Sequence, residues 1–253
     1  IIFDNGNAIG VSLENNEEIF GKTIVSNATR WDTFGGQGVA KPLVDTDKTP
    51  PSEKTWGNRY KPSPSFLSLH LGVRGDAIPS KTHCHHLLLN NWEEMEREQG
   101  VTFLSIPTLL DPTLAPSGSH IVHAFTPSSI DSWEGLNNKE YLAKKKEDGD
   151  KLISKLEKIF PNLSQNILHK EIGSPRTHKR FLSRNKGSYG PIPYMRLPGL
   201  LPMPFNTTKI KGLYCVGDSC FPGQGLNAVA FSGYACAHII GKKLGINKWK
   251  LPE

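Results

Sequence analysis

Residues 213–245, LYCVGDSCFPGQGLNAVAFSGYACAHIIGKKLG, decide how the rest of the chain is understood. Leu213, Tyr214, Cys215 and Val216 form a short apolar run closed by Gly217, the pattern of a buried strand. Asp218 follows, which puts a carboxylate at a strand's carboxyl end, where open α/β sheets bind ligands. Such a carboxylate accepts hydrogen bonds from sugar or ribitol hydroxyls. Pro222, Gly223, Gln224 and Gly225 then make a tight turn, and residues 226–240 carry no Asp, Glu, Lys or Arg. That run predicts a buried helix too short to cross a bilayer. Gly223 and Gly225 let a ligand touch the backbone. The first amides of the helix, at its positive dipole end, would face that ligand and favour negative charge on it, as on the pyrimidine edge of a reduced flavin. The plain structural reading of the same residues is a strand, a glycine turn and a buried helix with no ligand.

GQGLNA also matches the G-x-G-x-x-A dinucleotide fingerprint. The context argues against it. The fingerprint opens a first βαβ unit and needs an acidic residue about 20 positions later on a second strand. Residues 242–253 offer no second strand.

The chain has 253 residues, room for one large domain or two smaller ones. Its mean hydropathy is −0.39, and no apolar run reaches bilayer-spanning length. It begins without Met, and IIFDNGNAIGVSLENN has the pattern of a domain interior, so the expectation is a fragment or a processed chain. The formal net charge is +6 and the pI about 9.1. Lys144, Lys145 and Lys146, with Lys242, Lys243, Lys248 and Lys250, supply the visible clusters. Clusters of this kind draw proteins to anionic lipid or form a solvated helix face and a frayed tail. Aromatic side chains do not interleave with them in a nucleic-acid-binding pattern, so nucleic acid is not an expected partner. Cys84, Cys215, Cys220 and Cys236 show no C-x-x-C spacing, which fits a reducing compartment better than a disulfide framework.

From the amino terminus, Asn5-Gly6 and Asn15-Asn16 mark turns of a three-stranded meander whose last strand region is Glu18 to Ser26, with KTIVSNA (22–28) running into Thr29. Arg30 and Trp31 follow, as candidate ligand-positioning residues or a surface cation–π pair. Residues 35–64, rich in Gly, Pro, Lys and Asp, are expected to be a loop or linker. Residues 65–73 alternate Leu67, Leu69 and Leu71 against Phe66, Ser68 and His70, a strand with one apolar and one mixed face. Further strands are expected at 84–89, 101–106 and 119–126, with a short acidic helix at 92–99. Together they predict an antiparallel sheet, a wall for an elongated apolar substrate. In His83-Cys84-His85-His86 alternate residues point to opposite faces, and two ligands do not make a zinc site, so no metal is expected. Residues 138–160 are expected to be helical, loosened near Gly149, and residues 167–172 another strand. Arg176, His178, Lys179 and Arg180 then stand close together before a glycine-proline loop at 186–204. They are expected either to face an anionic flavin or to hold the loop by salt bridges, and Arg176 and Arg180 join the positioning candidates.

SNATRWDTF, SPRTHKRFLSRNKGSYGP, MPFNTT and LYCVGDSCFPGQG, in that order, resemble the carotenoid isomerase (prolycopene isomerase) family of plants and cyanobacteria. The similarity runs essentially through residues 1–245. It implies a mixed α/β (α+β) fold: the carboxyl-terminal half of an FAD-dependent oxidoreductase-like fold of the phytoene desaturase and amine oxidase superfamily. The expected parts are a meander returning to the FAD domain (1–34), the linker (35–64), an antiparallel-sheet substrate domain (65–204), and the last strand, turn and helix of the FAD domain with a basic tail (205–253). The resemblance also implies a plastid, membrane-associated protein that converts poly-cis lycopene to the all-trans form, needs reduced FAD and produces no net oxidation. By carry-over Gly217 and Asp218 serve the ribitol region, while Pro222, Gly223, Gln224 and Gly225 lie beside the isoalloxazine.

Two departures from the family matter. Its amino-terminal strand, G-x-G-x-x-G loop and acidic ribose-binding residue are not among these 253 residues, so the expectation is that the chain alone binds FAD poorly and depends on that half or on a partner. Where the family has an apolar pair after PGQG, Leu226 is followed by Asn227. Two rival functions stand beside the isomerase. One is a carotenoid or retinoid desaturase or reductase, told apart by a product mass shifted by two hydrogens. The other is a non-catalytic structural or pigment-associated subunit of a plastid membrane complex, told apart by the absence of a flavin absorbance band.

Overall fold

The computed structural model describes residues 1–95, 97–194 and 203–246. In chain order its elements are β1 (Ile2–Asp4), β2 (Asn7–Ser12), β3 (Glu18–Phe20), β4 (Ile24–Ser26), α1 (Arg30–Phe34), α2 (Pro51–Arg59), β5 (Tyr60–Pro62) and β6 (Ser65–Arg74). There follow β7 (His85–Leu89), β8 (Val101–Ser105), β9 (Ser119–Ser128), α3 (Asn138–Glu157), β10 (Ile167–Gly173), α4 (Pro175–Leu182), β11 (Pro191–Pro193), β12 (Leu213–Cys215) and α5 (Leu226–Lys243). Contacts divide the chain into two units, Ile1–Ser63 with Ser188–Glu253, and Pro64–Gly187.

In the first unit, β1, β2 and β3 form an antiparallel meander. Asn5 (φ 47) and Gly6 (φ 77) make the left-handed two-residue turn that matches strand twist. The expected third strand is split. The strand breaks after Phe20, and β4 leaves the meander to pair in parallel with β12, Ile24 against Leu213 and Ser26 against Cys215. Ala8, Phe34, Val44, Ile210, Leu213, Cys215 and Cys220 form the buried core around this pair.

Residues 35–64 are not simply a loop, because they contain α2 and β5. Pro51 sits at the first position of α2, where its missing N–H costs nothing, so a proline pair taken as a loop signal is a helix start. β5 pairs with β11, and residues 188–193 therefore belong with the first unit rather than with the expected 65–204 domain. α5 forms as expected but is not buried among the described residues. Ser232, Cys236 and Gly241 are covered, while Leu226 is 83% exposed. A helix apolar all round is the pattern of a buried one, yet only its small-residue stripe is fully covered here. Asn206 fastens that stripe, its Nδ2 donating to Ser232 Oγ (3.0 Å) and Cys215 O (2.9 Å).

The second unit is a five-stranded antiparallel sheet in the order β10-β6-β9-β8-β7. Leu67, Leu69, Leu71 and Val73 of β6, with Val122, Ala124 and Leu104, pack against Leu152, Ile153 and Leu156 of α3. α3 starts on a capping box between Asn137 and Glu140 and runs unbroken through Gly149. A Cβ at Gly149 would lie 2.3 Å from Cδ1 of Ile172, so this glycine brings the helix close to β10 instead of loosening it. The acidic helix expected at 92–99 is a series of turns among the described residues. Asn91 Oδ1 accepts the Glu94 amide at 2.7 Å, the local side-chain bond by which Asn competes with helix. Residues 174–181, given no element in the sequence, fold as α4 on a capping box of Ser174 and Thr177. Glu96, residues 195–202 of the expected loop, and Lys248 and Lys250 of the basic tail lie outside the described residues. No described helix is long and apolar enough to cross a membrane.

Candidate functional site

The strand, turn and helix at 213–243 form the candidate site of the first unit. β12 leads through Val216 into Gly217 (φ 94), whose amide donates to Ser232 Oγ at 3.2 Å. A side chain at Gly217 would put Cβ 2.7 Å from Asn27 Oδ1, so the backbone needs both the left-handed φ and the space. Asp218 is half-buried, and Ser219 Oγ donates to its Oδ1 at 3.4 Å. The Phe221-Pro222 peptide is cis. Gly223 (φ 122) and Gly225 (φ 103) carry the turn, and nothing lies within 4 Å of where a Cβ on Gly225 would be. Gly225 is also the N-cap of α5, and no side chain caps that end. Asn227, the family departure, is exposed and packs no core. A half-exposed carboxylate, an open glycine turn and uncapped helix amides fit a group with both hydroxyls and an anionic edge.

Arg30 and Trp31 lie elsewhere in this unit. Thr29 caps α1, and Arg30 is 2% exposed against Glu53 at 7%. Its Nε and Nη2 donate to the two carboxylate oxygens, both at 2.9 Å, and Nη1 donates to Phe205 O (3.2 Å) and Cys220 Sγ (3.3 Å). Trp31 is fully buried, 5.3 Å from Trp56, and donates to Gly57 O at 3.4 Å. The expected surface cation–π pair is therefore absent from this position, and Arg30 is committed to a buried ion pair. Burial pushes the neighbouring thiols up, Cys215 to about 12 and Cys220 to about 11, against the opposing pull of Arg30. Both are neutral thiols at physiological pH.

Arg176 and Arg180 belong to the second unit and separate there. Arg176 Nη2 donates to Leu136 O at 2.6 Å, and its guanidinium stands 5.0 Å from the Tyr141 ring. Arg180 is exposed, 5.6 Å from the Phe181 ring. His86 Nε2 bonds to His83 O at 2.8 Å, and among the described residues no group of three or more His, Cys, Asp and Glu is placed to hold a metal.

The second unit's sheet carries a feature that alternation alone does not reveal. On the face away from α3, strand register aligns Leu87, Phe103, Phe125, Ser68 and Gly173 across all five strands. Phe125 stacks on Phe103 at 4.9 Å and meets Phe66 edge-on at 5.1 Å. Leu87, Phe103 and Phe125 are exposed. The next rung is polar, with Glu171, His70, His123, Ser105 and His85 in register. His70 and His123 face each other with Nδ1 atoms 2.7 Å apart. Burial, then His70, holds His123 below the usual imidazole range. Burial does the same for His178, against a bond to the Phe66 backbone that raises it. The sequence shows which residues share a strand face, but the rungs depend on register.

No family model matches the chain. It is 54% identical over 250 residues, 98% of its length, to a protein of Arabidopsis thaliana named prolycopene isomerase, chloroplastic, and covers 41% of that relative. It is 24% identical over 255 residues to the neurosporene-forming phytoene desaturase of Rhodobacter capsulatus, covering 95% of this chain and 47% of that one. Among solved structures, an oxidoreductase from Methanosarcina mazei matches 94% of the chain with a TM-score of 0.57 at 18% identity, and the chain covers 47% of it. The fold is thus a mixed helix and sheet fold of the oxidoreductase type, and the chain spans less than half the length of these relatives. At this identity over nearly all of its residues, the chain belongs to the prolycopene isomerase, or carotenoid isomerase, family.

Proposed function

We propose that the protein containing this chain is a plastid carotenoid cis–trans isomerase that uses reduced FAD and acts on a poly-cis lycopene-like polyene. The observation that carries the reading is the identity of more than half the residues to a chloroplastic prolycopene isomerase. Bound FAD would supply a reversible source of electron density for a polyene. In this chain Asp218 would accept hydrogen bonds from ribitol hydroxyls, and Gly217 gives its strand end the required conformation. Pro222, Gly223, Gln224 and Gly225 would let a planar ring lie against bare backbone. The uncapped amides of α5 would hold negative charge on that ring's edge, the kind of preorganised electrostatic stabilisation that acts where charge develops. The pyrophosphate and adenosine would be held by protein outside these 253 residues. The aromatic rung Leu87, Phe103 and Phe125, with Phe66 beside it, offers an apolar wall for the polyene.

A second reading, desaturation or reduction with net redox change, is favoured by the similarity to a phytoene desaturase. Product mass separates the two. The full-length protein, reduced without oxygen and supplied with poly-cis lycopene, is expected to yield isomers of unchanged mass. A product shifted by two hydrogens would favour the second reading, and the absence of any product would end the first.

A further inference from the structure

The last turn of α4 projects from the second unit. Lys179, Arg180, Phe181, Leu182 and Ser183 are all exposed, Phe181 by 75% and Leu182 by 50%. A single exposed apolar side chain needs no explanation. Two adjacent large ones on a projecting turn, ringed by cations, do. The chain reverses after Ser183 (φ 49), and Gly187 (φ 66) passes so close to Pro175 that a Cβ there would lie 2.3 Å from its carbonyl oxygen. That reversal returns Lys186 to the start of α4, where it lines a recess of about 300 Å³ with Arg176, Lys179, Ile130 and Trp133. Glu134, 3.9 Å from Lys186, is the carboxylate of that recess. No Asp or Glu occurs in the sequence between Glu171 and Asp218.

We propose that this tip docks on an anionic membrane surface. Phe181 and Leu182 enter the headgroup region, Lys179 and Arg180 pair with lipid phosphates, and the recess beside Trp133 receives one headgroup. A bilayer uses both halves of the patch, since interfacial segments bury aromatic and leucine side chains while Lys and Arg stems lie along the boundary with their charges at the phosphates. An acidic protein or a nucleic acid would satisfy the cations and leave Leu182 in water. The inference rests on α4 and the recess beside it, and stands whether or not the isomerase reading does.

The test uses the full-length protein and sedimentation with vesicles of phosphatidylglycerol and phosphatidylcholine in equal parts, or of phosphatidylcholine alone. Wild type is expected to sediment with the anionic vesicles and to be released as salt rises. Lys179→Gln with Arg180→Gln should weaken that partition roughly thirtyfold, the fold-change two cations contribute at an anionic surface. Phe181→Ser with Leu182→Ser should weaken it as well. In an otherwise unchanged protein, Phe181→Trp should show blue-shifted emission on anionic vesicles. Equal sedimentation of wild type and both double variants, or unshifted emission from Phe181→Trp on the vesicles, would overturn the proposal.

Discussion

Replacing Glu53 by Gln removes one charge from a pair that is almost wholly out of water, Arg30 being 2% and Glu53 7% exposed. Burial by itself disfavours the charge on Arg30, but the Glu53 hydrogen bond and charge outweigh it and hold the guanidinium pKa above its ordinary value. Without Glu53 that charge stays buried with Phe205 O, Cys220 Sγ and the Phe34 ring, 5.8 Å away, to face it. Breaking a buried pair from one side costs about 3–5 kcal/mol. Gln keeps the shape and one acceptor oxygen, so the low end, about 3 kcal/mol, is expected. Removing both charges in Arg30→Met with Glu53→Leu should restore most of the loss, because apolar replacement of a buried pair is often neutral. The residual deficit is the bond to Phe205 O, about 1 kcal/mol. Urea unfolding of the full-length protein followed by tryptophan emission reads this directly, since Trp31 and Trp56 lie 5.3 Å apart in the same unit. A cost under about 1 kcal/mol for Glu53→Gln, the value of an exposed pair, or a double variant weaker than the single one, would refute the reasoning.

Three further outcomes follow from the same geometry. Alkylation of native protein, mapped by mass spectrometry, should label half-exposed Cys84 and spare buried Cys215, Cys220 and Cys236 until the protein is denatured; early labelling at Cys215 would contradict its burial. The folded unit protonates His123 and His178 less readily than the unfolded chain does, so stability should fall as pH drops below about 6.5, the ordinary imidazole value. His123, flanked in its rung by His70 and Ser105 with Glu171 beyond, contributes part of that slope, and His123→Gln should flatten the dependence of melting temperature on pH in this range; an unchanged slope would rule it out. Gly149→Ala should destabilise despite the better helix propensity of Ala, because its Cβ meets Ile172, and Ile172→Ala should relieve part of that added cost in a double-variant cycle.

Much of the fold is legible in the sequence where one signal dominates. The alternation through Leu67, Leu69 and Leu71 gives β6 and its buried face, and Gly217, Gly223 and Gly225 give the turn before α5. The misses have local causes. Pro50-Pro51 signals both a loop and a helix start, and only the packing of α2 against α1 decides between them. Gly149 looks like a helix breaker because the sequence does not show Ile172 beside it. The Arg30 ion pair is not visible in the sequence because its partner Glu53 is 23 positions away in a stretch with the composition of a linker. The aromatic rung of Leu87, Phe103 and Phe125 needs the register of three strands, which depends on pairings between distant segments. The exposure of α5 departs from its composition, since an apolar sequence states what a helix can bury and not what covers it.

Under the proposed function, the open turn at 222–225, with Asp218, would hold a flavin. The most direct measurement is the flavin absorbance of purified full-length protein, compared among wild type, Asp218→Ala and Gly225→Val, with circular dichroism checking that each is folded. Gly225 has open space where its Cβ would be but a φ of 103, so Val there strains the turn and covers the backbone. A flavin band is expected in wild type and should be weakened in both variants while the fold is kept. A wild type without flavin, or variants that retain it in full, would contradict the account.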